Sequence, residues 1–384
     1  MVKQVDRRIA WLLPAMGTGG ISFQHILAEF TKSFPDTMTF TGQWPGYAAG
    51  FEDTFAVQEV GATRYIEFGK TVNGYTIGFS YASPQIVGYL WQFKPQIVFA
   101  NAFSAWTVIA LLLKPIGGWK VIITYEGGSP TFESQNLSVR LVIRRLMVGF
   151  ADAFVVNSQS GTAYLTSGLR VPTLKIFAKP FLVPSVKALL QGSAATVLKL
   201  LVSDRKTVFL FVGQIIPRKG LKVLLEACAL LESQGYDNFI LKIVGDGEQR
   251  SQLTAFAEQH GLKDRVEWLG KVDYGCLGGH FQSADVFVFP TYEDIWGMVL
   301  TEAMAFGLPV ICSNGAGAAE MVQSDNGFVF DMERVDELAT CLRHFLDRPE
   351  SIAQMGEVSK QIMLDHTPER ATQAFIEAVE SVNS

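Results

Sequence analysis

The sequence predicts an α/β fold built from two doubly wound parallel-sheet domains. The chain has 384 residues, which is too long for one typical domain and about right for two. Short, continuous apolar runs alternate with helix-like patterns, as expected for strands that are buried on both faces of a parallel sheet. The alternation pauses over a helical and polar stretch at residues 185–206 and restarts at Thr207. We therefore predict two Rossmann-like domains that face a central ligand cleft.

The strand-like runs fall into two sets, one in each half of the chain. We predict strands at residues 9–14, 96–100, 120–125 and 153–157, and then at 207–212, 239–244, 266–269, 286–289 and 309–312. These runs divide the chain into an N-terminal domain (1–190) and a C-terminal domain (200–365). Residues 366–384 are predicted to form a helix that packs back on the body, against the N-terminal domain.

Composition narrows the class of protein. With 48% hydrophobic and 18% charged residues, the chain is predicted to be globular. A net charge of -5 and the absence of a Lys/Arg tract argue against a nucleic-acid partner. The four cysteines form no CxxC pair, and no apolar run approaches the ~20 residues of a transmembrane helix. We expect a cytoplasmic protein that is soluble or peripheral at the inner face of the membrane.

Several motifs of common enzyme classes are missing from the sequence. None of the five histidines has metal-ligand spacing such as H-x-x-x-H, so no metal site is predicted. There is no G-x-S-x-G nucleophile elbow and no G-x-x-x-x-G-K-[ST] phosphate loop. Hydrolase and NTPase functions therefore lose their usual sequence support.

A glycine loop follows the first predicted strand, with Gly17, Gly19 and Gly20 before a helix. Glycines let backbone N–H groups approach an anion at a helix N-terminus. Ser22 stands where the dinucleotide fingerprint needs its third glycine, so the sequence gives little support to an NAD site. A tight turn without a ligand explains the loop equally well.

Similar loops follow the first two strands of the second domain. The first runs from Gly213 to Gly220 and carries Arg218 and Lys219 beside the start of a helix. Arginine offers a planar fork for phosphate oxygens and lysine a point charge, although adjacent basic residues in loops are often only solvated. The second loop contains Gly245, Asp246 and Gly247, and a plain turn would also account for it.

Carboxylates are concentrated after the strand at residues 286–289. Glu293 and Asp294 lie in a short loop, a helix begins near Gly297, and Glu302 falls in its second turn. Ligands of open α/β sheets bind at the carboxyl ends of strands, where carboxylates can accept hydrogen bonds from sugar or ribose hydroxyls. A loop of small residues at 313–320 follows the next strand. Together, the four strand ends predict a nucleotide-diphosphate site.

These segments resemble glycosyltransferase family 4, the retaining enzymes of the GT-B fold. The resemblance is specific at residues 211–220, 244–248 and 293–311, and it is looser over the first half of the chain. It implies a nucleotide-sugar donor that is bound mainly by the second domain, with no cofactor or metal. In this family, retention is usually ascribed to same-face attack assisted by the leaving phosphate.

The resemblance also implies roles for individual residues. It puts Arg218 and Lys219 on the donor diphosphate and Glu302 on the ribose hydroxyls. The first carboxylate of the E-x7-E motif falls on Asp294 by register, while Glu293 is the second candidate because its side chain is longer. The full set expected at the donor is Gly17, Gly19, Gly20, Gly213, Arg218, Lys219, Gly245, Asp246, Gly247, Val272, Ile295, Trp296, Gly297, Met298, Val299 and Glu302.

The first domain departs from the family pattern. Many relatives carry a histidine after the strand that matches residues 120–125, but this chain has Glu126 followed by two glycines. Tyr125 or Glu126 would then take the part of the histidine. Glu126 is a candidate acceptor-side catalytic residue, and a solvent-facing loop glutamate is the alternative. In the helix at residues 137–150, a basic edge formed by Arg140, Arg144 and Arg145 could rest on an anionic membrane. A helix with a solvated basic edge is the other interpretation.

We therefore predict a retaining glycosyltransferase that moves a sugar from a nucleotide diphosphate to a glycan, a lipid-linked acceptor or a small molecule. Synthesis of a surface polysaccharide or glycolipid is the setting that the family suggests. Two alternatives stay open: a non-catalytic protein that binds a nucleotide or a partner, and a nucleotide-sugar epimerase or hydrolase on the same fold. A dehydrogenase is a more distant alternative.

Overall fold

The computed structural model describes residues 7–14, 20–48, 51–61, 64–70, 76–127, 138–190 and 206–382. These residues form two compact units. The first unit combines the described residues before Pro184 with those from His366 onward, and the second runs from Pro184 to Asp365. Each unit contains a parallel sheet flanked by helices.

The first unit is built on a seven-stranded parallel sheet with the order β3-β2-β1-β6-β7-β8-β9, and it also carries the antiparallel hairpin β4-β5. Its strands are β1 (Ile9–Leu13), β2 (Thr37–Thr41), β3 (Ala56–Glu59), β4 (Arg64–Lys70), β5 (Thr76–Tyr81), β6 (Ile97–Asn101), β7 (Lys120–Tyr125), β8 (Ala153–Val156) and β9 (Ile176–Ala178). Its helices are α1 (Gly20–Ser33), α2 (Ile86–Phe93), α3 (Ala105–Gly117), α4 (Ser138–Phe150), α5 (Gln159–Ala163) and α13 (Pro368–Ser381).

Every residue of strand β1 is apolar and buried, as expected for a strand in a sheet with helices on both faces. Trp11 points to the side of α1 and α13, where its ring stacks on Phe99 at 4.5 Å and lies 5.1 Å from Phe375. Helix α13 begins where the Thr367 side chain accepts a hydrogen bond from the backbone N–H of Arg370. The C-terminal helix therefore packs within the first unit, through the buried ring of Phe375.

The second unit contains a six-stranded parallel sheet with the order β12-β11-β10-β13-β14-β15. Its strands are β10 (Thr207–Val212), β11 (Phe239–Val244), β12 (Val266–Gly270), β13 (Val286–Phe289), β14 (Val310–Ser313) and β15 (Gly327–Phe330). Its helices are α6 (Val186–Leu189), α7 (Leu221–Ser233), α8 (Arg250–Gln259), α9 (Leu277–Ser283), α10 (Met298–Ala305), α11 (Val335–Asp347) and α12 (Glu350–Met363). From β10 the order runs outward in both directions, so neighbouring β10 and β13 mark the switch point of a doubly wound sheet.

The prediction of two Rossmann-like parallel-sheet domains is confirmed. All nine predicted strands are present, and their bounds differ from the predicted ones by no more than one residue. Strands β2, β3, β4, β5, β9 and β15 were not predicted. Strand β3 carries the exposed residues Ala56 and Glu59, and β15 opens with a glycine, so neither has the continuous apolar run of a buried strand.

Candidate functional site

The candidate site lies at the switch point of the second sheet. The loops after β10 and β13 begin at the same edge of this sheet, because parallel strands in register end together. The backbone N–H of Tyr292 donates to the carbonyl of Arg218 at 2.9 Å, and Thr291 Oγ1 donates to the same carbonyl at 3.2 Å. The two loops are therefore joined directly.

Glycine at position 220 allows this close approach. A 3-10 turn over Pro217–Lys219 ends at Gly220, which has a left-handed φ of 64°. A Cβ added there would lie 1.8 Å from the carbonyl oxygen of Pro290, so a larger residue would push the two loops apart. The turn brings Arg218 and Lys219 over the end of β13.

The basic pair meets Asp294. Lys219 Nζ forms an ion pair with Asp294 Oδ2, and Arg218 Nη1 lies 3.5 Å from the same oxygen. Arg218 Nη1 also donates to the backbone carbonyl of Glu293 at 2.8 Å. The three charged side chains are 15–17% exposed, so they are held in place yet still reach solvent. This enclosure makes their attraction stronger than that of a surface pair.

Glu293 and Asp294, the two candidates for the first carboxylate, have different surroundings. Glu293 is only 1% exposed, whereas the Asp294 side chain pairs with the two cations. Backbone bonds to the loop after β14 hold Asp294 on both sides: its N–H donates to Gly315, and its carbonyl accepts from Gly317, each at 3.0 Å. The geometry thus brings together Asp294, Arg218 and Lys219. Their catalytic roles stay a prediction.

The turn after β11 packs against the loop after β10. Gly245 has a φ of 137°, and a Cβ there would lie 1.8 Å from the carbonyl oxygen of Gly213. A Cβ on Gly247 would lie 2.4 Å from the carbonyl oxygen of Ile215. Asp246 turns outward and pairs with Arg250, with 3.3 Å between Oδ2 and Nη1. The glycines therefore allow loop-to-loop packing, and this packing accounts for them without a ligand.

Helix α10 begins at the loop that carries the carboxylates. Gly297, with a φ of 99°, precedes the helix, and a Cβ there would lie 2.5 Å from the Phe289 ring. Trp296 is buried, while Ile295, Met298 and Val299 are partly exposed around the start of the helix. The predicted donor residue Val272, which lies after β12, is also partly exposed.

Glu302 lies in the second turn of α10 and is 4% exposed. Tyr274 Oη donates to Glu302 Oε1 at 2.9 Å. Burial raises the pKa of Glu302 to about 7, and the Tyr274 hydrogen bond opposes that rise. Burial and the neighbouring Glu302 also raise the pKa of Tyr274. The sequence analysis missed Tyr274, because a lone tyrosine after a strand has no motif of its own.

In the first unit, Glu126 lies just beyond the end of β7. Asn101 Nδ2, from the end of β6, donates to Glu126 Oε1 at 3.2 Å. Burial raises the pKa of Glu126, and this hydrogen bond opposes the effect. Glu126 is therefore a positioned, partly enclosed carboxyl group, and its place on the acceptor side stays a prediction. The predicted Gly17 and Gly19 lie outside the described residues, and Gly20 begins α1.

Arg144 and Arg145 on α4 contact other residues of the first unit. Arg144 Nη1 donates to Tyr164 Oη at 2.7 Å, and its guanidinium lies 4.8 Å from the centre of the Phe103 ring. Arg145 Nη2 donates to the carbonyl of Gly168 at 3.1 Å. Arg140 is half-buried, and burial together with the nearby Arg144 lowers its pKa. The membrane contact through these residues stays a prediction.

Among the described residues, no three His, Cys, Asp or Glu residues come together as a metal site would require. No helix in this part of the chain is long and apolar enough to cross a membrane. Independence from metals stays a prediction.

Comparison with known sequences gives a family match for the second unit. Residues 197–362 match the family model described as glycosyl transferases group 1. A GDP-mannose-dependent alpha-(1-6)-phosphatidylinositol monomannoside mannosyltransferase of Mycobacterium tuberculosis is 34% identical over 167 residues, or 41% of this chain and 43% of the relative. An uncharacterised glycosyltransferase of Haemophilus influenzae is 29% identical over 174 residues, or 45% of this chain and 48% of the relative. The chain spans less than half the length of these curated relatives.

Solved structures match nearly the whole chain in fold. Anabaena HepE in complex with UDP has a TM-score of 0.75 with 16% identity, covering 97% of this chain and all of that one. Sucrose-phosphate synthase from Thermosynechococcus elongatus has a TM-score of 0.72 with 17% identity, covering 98% and 99% of the two chains. At these identities the likeness establishes the fold alone, and it confirms the predicted GT-B fold.

Proposed function

We propose that the protein is a glycosyltransferase that takes its sugar from a nucleotide-diphosphate donor bound by the second unit. The observation that carries this proposal is the cluster of Arg218, Lys219 and Asp294 at the switch point of a doubly wound sheet. Such a donor has a negatively charged diphosphate and a sugar with free hydroxyls. The two cations at this edge suit the diphosphate, and the carboxylate can accept hydrogen bonds from the hydroxyls. The family match over residues 197–362 supports the same conclusion.

The chemistry follows from the charges. When the glycosyl bond breaks, the nucleoside diphosphate leaves with added negative charge, and the sugar passes through an oxocarbenium-like state. Arg218 and Lys219 would stabilise the leaving diphosphate without a metal ion. In the free protein Asp294 pairs with both cations. Once the diphosphate binds the cations, Asp294 would accept a hydrogen bond from a hydroxyl of the donor sugar. Glu302 would accept hydrogen bonds from the ribose hydroxyls.

The finer parts of the proposal rest on the family resemblance. They are retention of the anomeric configuration, an acceptor that is a glycan, a lipid-linked sugar or a small molecule, and a role in surface polysaccharide or glycolipid synthesis. Glu126, held by Asn101 in the first unit, is the residue we propose on the acceptor side. HepE was solved with UDP, and the mycobacterial relative is named for GDP-mannose, so both bases belong in the test.

The test is a thermal-shift panel with UDP, GDP, ADP, dTDP and NAD. A ligand present at 100 times its Kd should add roughly 2.7 kcal/mol to the free energy of unfolding. We expect one nucleoside diphosphate to stabilise the protein, and we expect Arg218→Ala with Lys219→Ala to abolish that shift. The matched control is Lys222→Ala with Lys263→Ala, which removes the same charge from exposed positions of the same unit.

The possible outcomes distinguish the proposed transferase from its alternatives. Folded protein that responds to none of the nucleoside diphosphates would contradict the proposal and favour a non-catalytic partner-binding protein. A shift that survives in the Arg218 and Lys219 variant would contradict the assigned site. With the base identified, consumption of the sugar nucleotide is measured with and without acceptors. Consumption that no acceptor increases would favour the epimerase or hydrolase alternative.

A further inference from the structure

Helices α2, α3 and α4 of the first unit have an apolar outward side. The three helices cover one face of the seven-stranded sheet, where Leu90, Trp106 and Met147 enter a shared core. Fifteen large apolar residues in the described part of the chain are exposed, and eight of them lie on these helices. The eight are Val87, Trp91, Leu112, Ile116, Val142, Ile143, Leu146 and Phe150. The concentration indicates a binding surface, since scattered apolar residues would need no explanation.

Helix α4 is the centre of this surface. Val142, Leu146 and Phe150 recur every four residues and are 55%, 62% and 61% exposed, so they form one outward stripe. Met147 and Arg144 lie on the inward side, where the arginine packs over an aromatic ring. A helix on a protein surface normally turns its polar side to water. Here the outward stripe is apolar, and one arginine is turned inward.

Helix α3 extends the stripe. Leu112 and Ile116 are four residues apart and are 72% and 75% exposed. Lys114 Nζ of α3 donates to the carbonyl of Phe150 at 2.8 Å, which brings the ends of the two helices together. We call the surface formed by Leu112, Ile116, Val142, Ile143, Leu146 and Phe150 the apolar face.

The charges around the apolar face have one predominant sign. None of the three helices contains an aspartate or a glutamate, although the whole chain has a net charge of -5. Near the end of α4, Lys114 and Lys120 lie 2.7 and 3.8 Å from Asp152, and Lys175 donates to the carbonyl of Ala151. Exposed Arg145 adds a further cation. The described surroundings therefore carry more cations than carboxylates.

We propose that the apolar face docks on the surface of an anionic lipid bilayer. An apolar stripe flanked by cations is the pattern of helices that lie in the membrane interface, with apolar side chains below the headgroups and cations among them. Trp91, 44% exposed on α2, has the amphipathic ring that favours this depth. A second copy of the chain is a poorer occupant, because a symmetric contact would bring two cationic rims together.

This surface differs from the membrane contact predicted from the sequence. Arg144 and Arg145 donate hydrogen bonds to Tyr164 and Gly168 of the same unit, so the apolar side chains carry the contact and the cations support it. The inference goes beyond the proposed sugar transfer, because that proposal rests on the donor site and does not involve the apolar face. Membrane docking is measured without a nucleotide, so the two proposals can fail separately.

The experiment is flotation with lipid vesicles, one set of phosphatidylcholine alone and one with about 30% phosphatidylglycerol to give an anionic surface. We expect the wild-type protein to float with the anionic vesicles and much less with the neutral ones. Leu146→Glu with Phe150→Glu should reduce the bound fraction by about tenfold or more, since it puts two carboxylates into the contact. Both positions are exposed, so the variant should fold, which its thermal transition checks.

The control is Leu364→Glu, a change at a residue of the second unit that is 57% exposed. It should bind anionic vesicles as the wild type does. The proposal is overturned if the wild type ignores anionic vesicles, or if the variant with Leu146→Glu and Phe150→Glu binds them unchanged. Sedimentation velocity tests whether the apolar face instead joins two copies of the chain. A wild-type dimer that this variant converts to a monomer would make the apolar face a contact between two copies, which also overturns the proposal.

Discussion

Replacing Glu302 with glutamine should make the stability of the second unit less dependent on pH. The folded protein raises the pKa of Glu302 from 4.5 to about 7, mainly through burial. Between those values the folded state keeps the proton, whereas the unfolded chain has released it. The folded state then binds more protons than the unfolded state, so the free energy of unfolding falls as the pH rises.

The size of this loss follows from the two pKa values. Their difference of about 2.5 corresponds to about 3 kcal/mol, because each pKa unit is worth 1.36 kcal/mol. The loss begins near pH 4.5 and is complete above pH 7. Glutamine cannot ionise, and its amide oxygen can still accept the hydrogen bond from Tyr274. The wild type should therefore lose about 3 kcal/mol relative to Glu302→Gln across this interval.

The assay is urea unfolding of both proteins at a series of pH values, followed by tryptophan fluorescence. Glu267→Gln, which removes a half-exposed carboxylate from β12, controls for the loss of one charge in the same unit. Tyr274→Phe should raise the pKa of Glu302 further, because it removes the hydrogen bond that favours the carboxylate form. A stability difference between wild type and Glu302→Gln that stays constant from pH 4 to pH 8.5 would refute the reasoning.

Three further predictions concern other parts of the molecule. Gly220→Ala should lower the free energy of unfolding in urea by about 2 kcal/mol or more, because the added Cβ would clash with a backbone carbonyl. Gly235→Ala has open space around its Cβ and should lower it by only about 1 kcal/mol. Equal losses in the two variants would contradict the packing argument. Asp294→Ala should lower sugar transfer by about a hundredfold while nucleoside-diphosphate binding persists, measured by initial rates and calorimetry; unchanged rates would exclude the catalytic role. Cys228 and Cys312 should resist alkylation in native protein, followed by mass spectrometry, because burial raises both thiol pKa values, that of Cys228 to about 12; rapid native labelling would contradict their burial.

The sequence predicted the second unit more fully than the first. Strands β10, β11 and β13 have the predicted bounds, since each is a mainly apolar run that is followed directly by a glycine or a proline. Strand β3 has no such signal and finds its place only by pairing with β2. In the first unit, the resemblance rests on fewer residues, and Glu126 stands where that resemblance predicts a histidine.

The candidate site shows the same limits. Motif spacing placed Arg218, Lys219 and Asp294 at the ends of two strands, but the ion pair between them depends on the order of strands in the sheet. Tyr274 reaches Glu302 across 28 positions of the chain, a contact that no local pattern contains.

By itself, the amino-acid sequence determined the two-domain α/β fold, most of the strands, and the loops that carry the charged residues. Hydrophobic periodicity and turn residues act within a few positions, so they can be read along the chain. Only the tertiary structure decided which carboxylate contacts the cations, which tyrosine donates a hydrogen bond to Glu302, and which side of α4 faces water. Those outcomes depend on packing between segments far apart in the chain, and on burial, which is a property of the folded molecule as a whole.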